Sequence, residues 1–212
     1  MHTETVVREF PISRPGSNAQ TPAISGKLVV WWQWRSVGYS RGDIYGKDLA
    51  TGRMFSVTTK GTVISAPAIS GHTVVWQDCR SCTVSRDAMG YYIFHNTKIY
   101  GKDISTGREF LVATPTTQHP SPAISGSIVI WQDRLNGRNG ICGTDVRTGR
   151  QFFIASHCTG QQYDALSAIS GPLVVWVDGR QGGDSIYGRD LRTGREIGNA
   201  RTTIGACVAP AA

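Results

Sequence analysis

No apolar run in this 212-residue chain approaches the ~20 residues that a membrane-spanning helix needs. The first residues also lack the charged, apolar and small-residue succession of a secretory signal peptide. No segment has a convincing helical period, and Lys and Arg are scattered rather than gathered in a block. These absences predict no membrane span, and they disfavour nucleic acid as a partner although the net charge is +7.

Sequence signatures of common catalytic sites are missing as well. The chain has no Gly-x-Ser-x-Gly elbow, no His-Glu-x-x-His pair and no phosphate-binding loop. Cys79-Arg-Ser-Cys82 is a lone cysteine pair, and a zinc site would need two further ligands. We expect a disulfide or two free thiols there instead. We therefore assign no catalytic residue, no metal and no cofactor, and favour a binding module over an enzyme.

What the chain does contain is one phrase copied four times. Pro-Ala-Ile-Ser-Gly, with Ser in place of Pro in the last copy, begins at residues 22, 67, 122 and 167. Each copy precedes an apolar run that ends in tryptophan, at Trp31, Trp76, Trp131 and Trp176. A repeat of about 45 residues predicts an array of stacked units, because one unit cannot bury its own apolar face.

Each unit is predicted to form four short strands, a to d. In the first unit these are residues 22–26, 28–31, 44–49 and 54–57. The runs are rich in β-branched and aromatic residues and are bounded by turn residues, which is typical of strands. The turn Thr51-Gly-Arg53 places Gly where a tight hairpin needs a positive φ, and the preceding Asp can cap it. Four antiparallel strands per unit predict an all-β fold of propeller blades.

The repeated motifs support a comparison with a known family. In order along each unit they are Pro-Ala-Ile-Ser-Gly, Val-Val-Trp-x-Asp-x-Arg and Ile-Tyr-x-x-Asp-Leu-x-Thr-Gly. The unit resembles the β-propeller repeat of archaeal and bacterial cell-surface proteins and is similar to TolB-like propellers. The resemblance spans about residues 6 to 200. It implies a binding or scaffolding module at the cell surface or outside the cell.

The repeats predict one domain over residues 1–212. We expect the units to occupy residues 22–66, 67–121, 122–166 and 167–200, with a tail at 201–212. Arg8-Glu-Phe-Pro-Ile12 matches strand d, yet no other strand of a unit precedes it. We expect residues 6–12 to close the fourth blade, because ring closure removes an open sheet edge. Five blades, or a partial array completed by oligomerisation, are the alternatives, since residues 207–212 resemble the start of another unit.

The loops divide into a constant and a variable set. Loops a–b and c–d are nearly identical in all copies, whereas loops b–c and d–a differ and share one face, where function tends to lie. The second unit has ten extra residues within 83–97, which form either an aromatic binding surface or a longer hairpin that packs its own aromatics. The candidate ligand contacts on this face are Trp34, Tyr39, Arg41, Tyr91, Tyr92, His95, Gln161 and Tyr163.

Two further patterns are interpreted as structural. Asp and Arg follow tryptophan in Trp76-x-Asp78-x-Arg80 and again in the fourth unit. Because an active site is needed once and a joint is needed every time, we expect an Asp–Arg pair between blades. Cys142 and Cys158 come to the same end of one predicted hairpin, so we expect a disulfide between them and an oxidising compartment.

Three functions remain open. The first is a non-enzymatic module that binds a glycan or a protein through the variable loops. The second is a polysaccharide lyase or hydrolase at the channel mouth, built from residues such as His119, His157 and Asp164. The third is a structural module that assembles into homo-oligomers.

Overall fold

The computed structural model describes residues 9–35, 41–118, 120–135, 138–156, 167–178 and 185–197. Within these ranges every regular element is a β-strand, and neighbouring strands pair in the antiparallel sense. No helix in this part of the chain is long and apolar enough to cross a membrane. The predicted all-β class is confirmed.

Repeats 1 and 2 supply ten strands. Those of repeat 1 are β1 (Ala19–Ser25), β2 (Leu28–Trp34), β3 (Gly42–Asp48) and β4 (Met54–Val63). Those of repeat 2 are β5 (Ala68–Ser70), β6 (Thr73–Asp78), β7 (Thr83–Arg86), β8 (Tyr92–His95), β9 (Lys98–Asp103) and β10 (Glu109–Ala113). The extra residues of repeat 2 thus form a hairpin, in which β7 and β8 pair with each other as a separate two-stranded sheet.

Repeats 3 and 4 supply the other eight strands. Those of repeat 3 are β11 (Ala123–Ser125), β12 (Ile128–Leu135), β13 (Arg138–Asp145) and β14 (Gln151–Ser156). Those of repeat 4 are β15 (Ser167–Ser170), β16 (Leu173–Asp178), β17 (Ser185–Asp190) and β18 (Glu196–Ile197). Each set is a four-stranded sheet in chain order, whereas the sheets of repeats 1 and 2 are joined through one pairing of Val63 with Asp78.

The Thr-Gly-Arg turns have the geometry that the sequence predicts. Between β3 and β4, a carboxylate oxygen of Asp48 accepts the N–H of Ala50 at 2.8 Å. Gly52 donates to the carbonyl of Asp48 at 2.8 Å and has a φ of +73°, a conformation that strains residues with a Cβ. The same Asp-capped turn recurs in the other three repeats, after Asp103, Asp145 and Asp190.

Apolar clusters fill the joints between successive repeats. In the first joint, Val30, Ile44 and Val57 of repeat 1 pack in one buried cluster with Ile69 and Trp76 of repeat 2. Corresponding positions form the second cluster, between repeats 2 and 3, and the third, between repeats 3 and 4. Trp76, Trp131 and Trp176 therefore pack between repeats, as their size suggests.

The Ser-Gly phrase also links each repeat to the one before it. The glycine N–H donates to a serine Oγ of the preceding repeat, at 2.9 Å in Gly71–Ser25, Gly126–Ser70 and Gly171–Ser125. The constant a–b turn is thus part of the joint, which explains why it does not vary from copy to copy.

The N-terminal closing strand stays a prediction. Its described part, residues 9–12, forms no strand, and Phe10 is exposed. Residues 6–8 and 198–200 lie outside the described residues. In repeat 4 the position beside β17 is held by β18, which pairs with it over two residues.

Candidate functional site

In three of the four repeats the tryptophan of the repeated phrase donates a hydrogen bond to a nearby side chain, whereas the buried Trp176 Nε1 of repeat 4 has no such partner among the described residues. The indole Nε1 donates to a side-chain oxygen two residues further on, at 2.9, 3.2 and 3.4 Å in Trp76–Asp78, Trp131–Asp133 and Trp31–Gln33. This recurrence favours a structural role, because a catalytic carboxylate would be needed only once.

In repeat 2 this contact extends into an ion-pair network around Arg80. A guanidinium nitrogen of Arg80 lies 2.8 Å from Asp78 Oδ2, and the guanidinium carbon lies 3.6 Å from the centre of the Tyr100 ring. Arg80 also contacts Glu109, which in turn accepts a hydrogen bond from Lys60 of repeat 1 at 2.8 Å. The predicted Asp–Arg pair is present, but it lies within repeat 2, and Lys60 is one of the repeat 1 residues that link the network to repeat 1.

Asp78 is a buried anion with its acceptor positions filled. Burial alone raises its pKa, but hydrogen bonds from Arg80 and Trp76 outweigh burial and hold the pKa below its ordinary value. Thr62 of repeat 1 also donates to Asp78 Oδ2, at 2.9 Å. Asp78 is therefore suited to holding a joint in place and not to accepting a substrate proton.

A disulfide between Cys79 and Cys82 ties the base of the β7–β8 hairpin. It is one of the two states expected for this pair. Arg41 of repeat 1 donates to Cys79 Sγ at 3.1 Å, and its guanidinium carbon lies 5.8 Å from the centre of the buried Phe94 ring. Arg41, a predicted ligand contact, thus braces the hairpin against repeat 1.

Cross-strand contacts occupy two other predicted site residues on the hairpin. On one face, Arg86 donates to the Tyr92 hydroxyl at 2.7 Å, and its guanidinium carbon lies 4.6 Å from the centre of the Tyr92 ring. On the other face, Ser85 Oγ and His95 Nε2 lie 2.8 Å apart. These pairs stiffen the hairpin on both faces.

Asp87 organises the tip of the hairpin. Its Oδ1 accepts the N–H groups of Met89 at 2.9 Å and Tyr91 at 2.8 Å, and its carbonyl accepts that of Gly90 at 3.0 Å. The Met89 and Tyr91 side chains are 82% and 68% exposed. The hairpin therefore buries one of its aromatics, Phe94, and presents another, Tyr91, to solvent, and the aromatic binding surface stays a prediction.

The remaining sequence candidates lie elsewhere. Trp34 is half-buried, with its ring centre 5.2 Å from that of Trp32, and it packs against the cluster between repeats 1 and 2. The candidates outside the described residues are Tyr39, Gln161 and Tyr163, and the same is true of His119, His157 and Asp164. Tyr91, Tyr92 and His95 thus lie on one hairpin, at its tip and on its two opposite faces, and Arg41 contacts the base of that hairpin.

Sequence reasoning missed Met89 and the turn that carries it. The signal was available, since Asp87-Ala-Met-Gly90 has Asp and Gly at the first and fourth positions, which favour a β-turn.

The described residues offer no metal centre and one free thiol. Among them, no group of three or more His, Cys, Asp or Glu side chains could hold a metal ion. Cys142 is a half-buried free thiol, and burial, with a smaller contribution from Asp133, raises its pKa to about 11. Cys158 lies outside the described residues, so the Cys142–Cys158 disulfide stays a prediction.

Solved structures share the fold, although no protein-family model and no curated protein matches the chain. TolB from Acinetobacter baumannii matches with a TM-score of 0.60 and 19% identity, over 87% of this chain and 44% of that chain. An oligogalacturonate lyase in complex with manganese matches at 0.54 and 13%, over 80% and 49%. The β-propeller domain of the Trilobed protease from Pyrococcus furiosus matches at 0.53 and 12%, over 84% and 55%.

These identities are low enough that the likeness shows the fold alone. The chain spans about half the length of each of these three structures. They comprise a TolB protein, a lyase and a domain of a protease. The shared fold is therefore compatible with both binding and catalysis. The fold of this chain resembles that of TolB-like β-propellers, as its repeats predict.

Proposed function

We propose that this chain is a non-enzymatic β-propeller module that binds a protein partner through the tip of the β7–β8 hairpin. The module comprises one domain over residues 1–212, in which each of the four repeats forms one four-stranded blade. The observation that carries the proposal is the ordered turn at Asp87, which holds Met89 and Tyr91 in solvent.

The first support is the stiffness of the hairpin. The Cys79–Cys82 disulfide and Arg41 fix its base, and Asp87 fixes its tip. A segment that is already ordered loses less conformational entropy on binding than a flexible loop does. The hairpin can therefore bind a partner tightly even though its exposed surface is small.

The second support is the chemistry of the tip. Tyr, Met and Arg are enriched in protein interfaces, and Tyr91, Met89 and Arg86 lie within six residues of one another. The partner would offer an apolar pocket to Met89 and Tyr91 and an acidic group near Arg86. A protein is favoured over a glycan because Asp87 Oδ1, a side-chain acceptor at the tip, already receives two N–H groups of the turn.

The disulfide also supports a location. Disulfides persist in oxidising compartments, so we place the module at the cell surface or outside the cell. The alternative activity, that of a polysaccharide lyase or hydrolase, has no observation within the described residues to favour it.

Site-specific photo-crosslinking tests the proposal. A photoreactive amino acid replaces Met89 in one protein and Leu111, an exposed residue on β10, in a matched control. On the surface of the source cells, position 89 should give one discrete protein adduct that position 111 does not, and Tyr91→Ala should remove it. Equal adduct patterns at both positions would overturn the site. A carbohydrate adduct at position 89 would overturn the protein ligand.

A further inference from the structure

The two cysteines of the Cys79–Cys82 bridge differ in exposure. Cys79 directly follows β6 and is 3% exposed, and its N–H donates to the carbonyl of Thr62 at 2.8 Å. Cys82 directly precedes β7 and is partly exposed. Access helps to decide which sulfur of a disulfide an incoming thiolate attacks. An external thiol therefore reaches Cys82 more readily than Cys79.

Arg41 places a positive charge beside the buried sulfur. Its Nη2 lies 3.1 Å from Cys79 Sγ and 4.0 Å from Cys82 Sγ. Burial disfavours a charged sulfur, but a hydrogen bond from a guanidinium offsets that cost. A sulfur that is stable as a thiolate is also the better leaving group. The adjacent carboxylate, Asp78, is paired with Arg80, so its charge is balanced and Cys79 is favoured as the sulfur that leaves.

The common scaffold of the repeats forms without this bridge. The positions that correspond to Cys79 in the other repeats are Trp34, Arg134 and Gly179, so three repeats have no cysteine there. Neither cysteine is part of the apolar cluster between repeats 1 and 2. The bridge therefore belongs to the β7–β8 hairpin, and its opening leaves the apolar joint in place.

We propose that the Cys79–Cys82 bridge is a thiol–disulfide exchange site, at which a small external thiol attaches to Cys82. The thiol loses its proton to solvent and attacks Cys82 Sγ. A new S–S bond forms there as the bond to Cys79 breaks, and the electron pair of the broken bond remains on Cys79 Sγ beside Arg41.

A second molecule of the thiol completes the reaction. It attacks the mixed disulfide at the sulfur of the first molecule and releases Cys82 as a thiolate. The two external thiols leave as their own disulfide, so they are oxidised by two electrons and the bridge is reduced by two.

A short pulse of reduced glutathione, stopped by acid, tests the site of attack. The reaction does not require a partner at Met89 and Tyr91, so it is measured on the oxidised full chain alone. Peptide mapping should find glutathione on Cys82 and a free thiol at Cys79. Glutathione mainly on Cys79, or a bridge that glutathione does not open, would overturn the proposal.

Cys142 is an internal control for unfolding in the same experiment. Burial, with a smaller contribution from Asp133, raises the pKa of this thiol to about 11, so it stays protonated at neutral pH. A short pulse of an alkylating reagent should therefore leave Cys142 unmodified in every variant that remains folded.

The rate of opening tests the role of Arg41. Arg41→Gln should slow the opening by about tenfold, because the leaving thiolate loses its cation, and Arg41→Lys should restore part of the rate. Arg53→Gln makes the same change of charge in an exposed turn and should open at the wild-type rate. A purely structural role for Arg41 predicts the opposite sign, because a looser hairpin exposes the bridge. Equal or faster opening in Arg41→Gln would therefore contradict the role of this cation.

Discussion

Repeat 2 carries two structures of opposite character. The Trp76–Asp78–Arg80 network is largely buried, and its tryptophan contact recurs in other repeats. The tip at Met89 and Tyr91 is exposed and belongs to the ten residues that the other repeats lack. The comparison teaches that repetition marks the side chains that hold the fold, whereas departure from the repeat marks what the fold can present to a partner.

Truncation of the buried tryptophan should give the largest effect. Trp76→Ala opens a cavity between repeats 1 and 2 and should lower the free energy of unfolding by about 3–5 kcal/mol. The matched control is Trp34→Ala, because Trp34 is only half-buried and should cost less. Denaturant unfolding measures both variants. Equal losses in the free energy of unfolding would contradict a larger contribution of the fully buried tryptophan to the joint.

The second-largest loss of stability is expected when the Arg80 guanidinium is removed. Arg80→Ala leaves Asp78 and Glu109 without their shared partner, and should cost about 2–4 kcal/mol, below the range for a fully buried pair because Arg80 is partly exposed. Arg53→Ala, in an exposed c–d turn, should stay within about 0.5 kcal/mol of wild type. A similar result for the two variants would show that the network does not stabilise the joint.

Loss of the disulfide should have a more local effect. Replacing Cys79 and Cys82 by Ser should cost about 2 kcal/mol, because the bridge closes a short loop. Amide hydrogen exchange should speed up in β7 and β8 and stay unchanged in β12 and β13. Wild-type protein under reducing conditions should behave as the double variant does. Unchanged exchange in the hairpin would contradict its bracing by the disulfide.

Much of this scaffold could be predicted because each unit offers four copies to compare. Strand b was expected at residues 28–31, and β2 is Leu28–Trp34; the Gly turn at 51–53 has the expected positive φ at Gly52. Such features depend on local sequence, so each further copy of the repeat supports the same prediction. Strand d was placed at 54–57, yet β4 runs from Met54 to Val63, because register shifts in its pairing with β3 allow it to continue.

The site was harder to predict because it has no second copy. The interpretation of residues 83–97 needed the positions of Phe94 and Tyr91, one buried and one exposed, which depend on how the hairpin folds against Arg41. The bond from Lys60 to Glu109 joins residues far apart in sequence, so no local pattern indicates it.

Acidification should have a smaller effect, and it should act on the stability that the buried network contributes through Asp78. The folded-state pKa of Asp78 lies below its ordinary value, so its contribution to stability is present above the unfolded pKa and is lost as the pH falls through the folded pKa. Asp78→Asn should be less stable than wild type at pH 7 and should lose less stability on acidification to about pH 3. Parallel pH profiles for the two proteins would contradict the role of this carboxylate.

Truncation of the tip should have the smallest effect on stability. Tyr91→Ala should change the free energy of unfolding by no more than about 0.5 kcal/mol, because its ring is exposed. Tyr100→Ala is the matched control, since that ring lies under Arg80 and its loss should cost more. Thermal unfolding compares the two. A large loss of stability in Tyr91→Ala would show that the tip stabilises the fold, which would contradict its assignment as an exposed contact surface.

The most direct test of the central claim is the affinity of the crosslinked partner for two forms of the chain. One is wild type, and in the other Asn-Gly replaces the tip residues 87–91. The account predicts that the second form keeps its fold while its Kd rises by at least about a hundredfold, because the tip supplies the main contacts. A Kd within about twofold of wild type would show that the partner binds elsewhere.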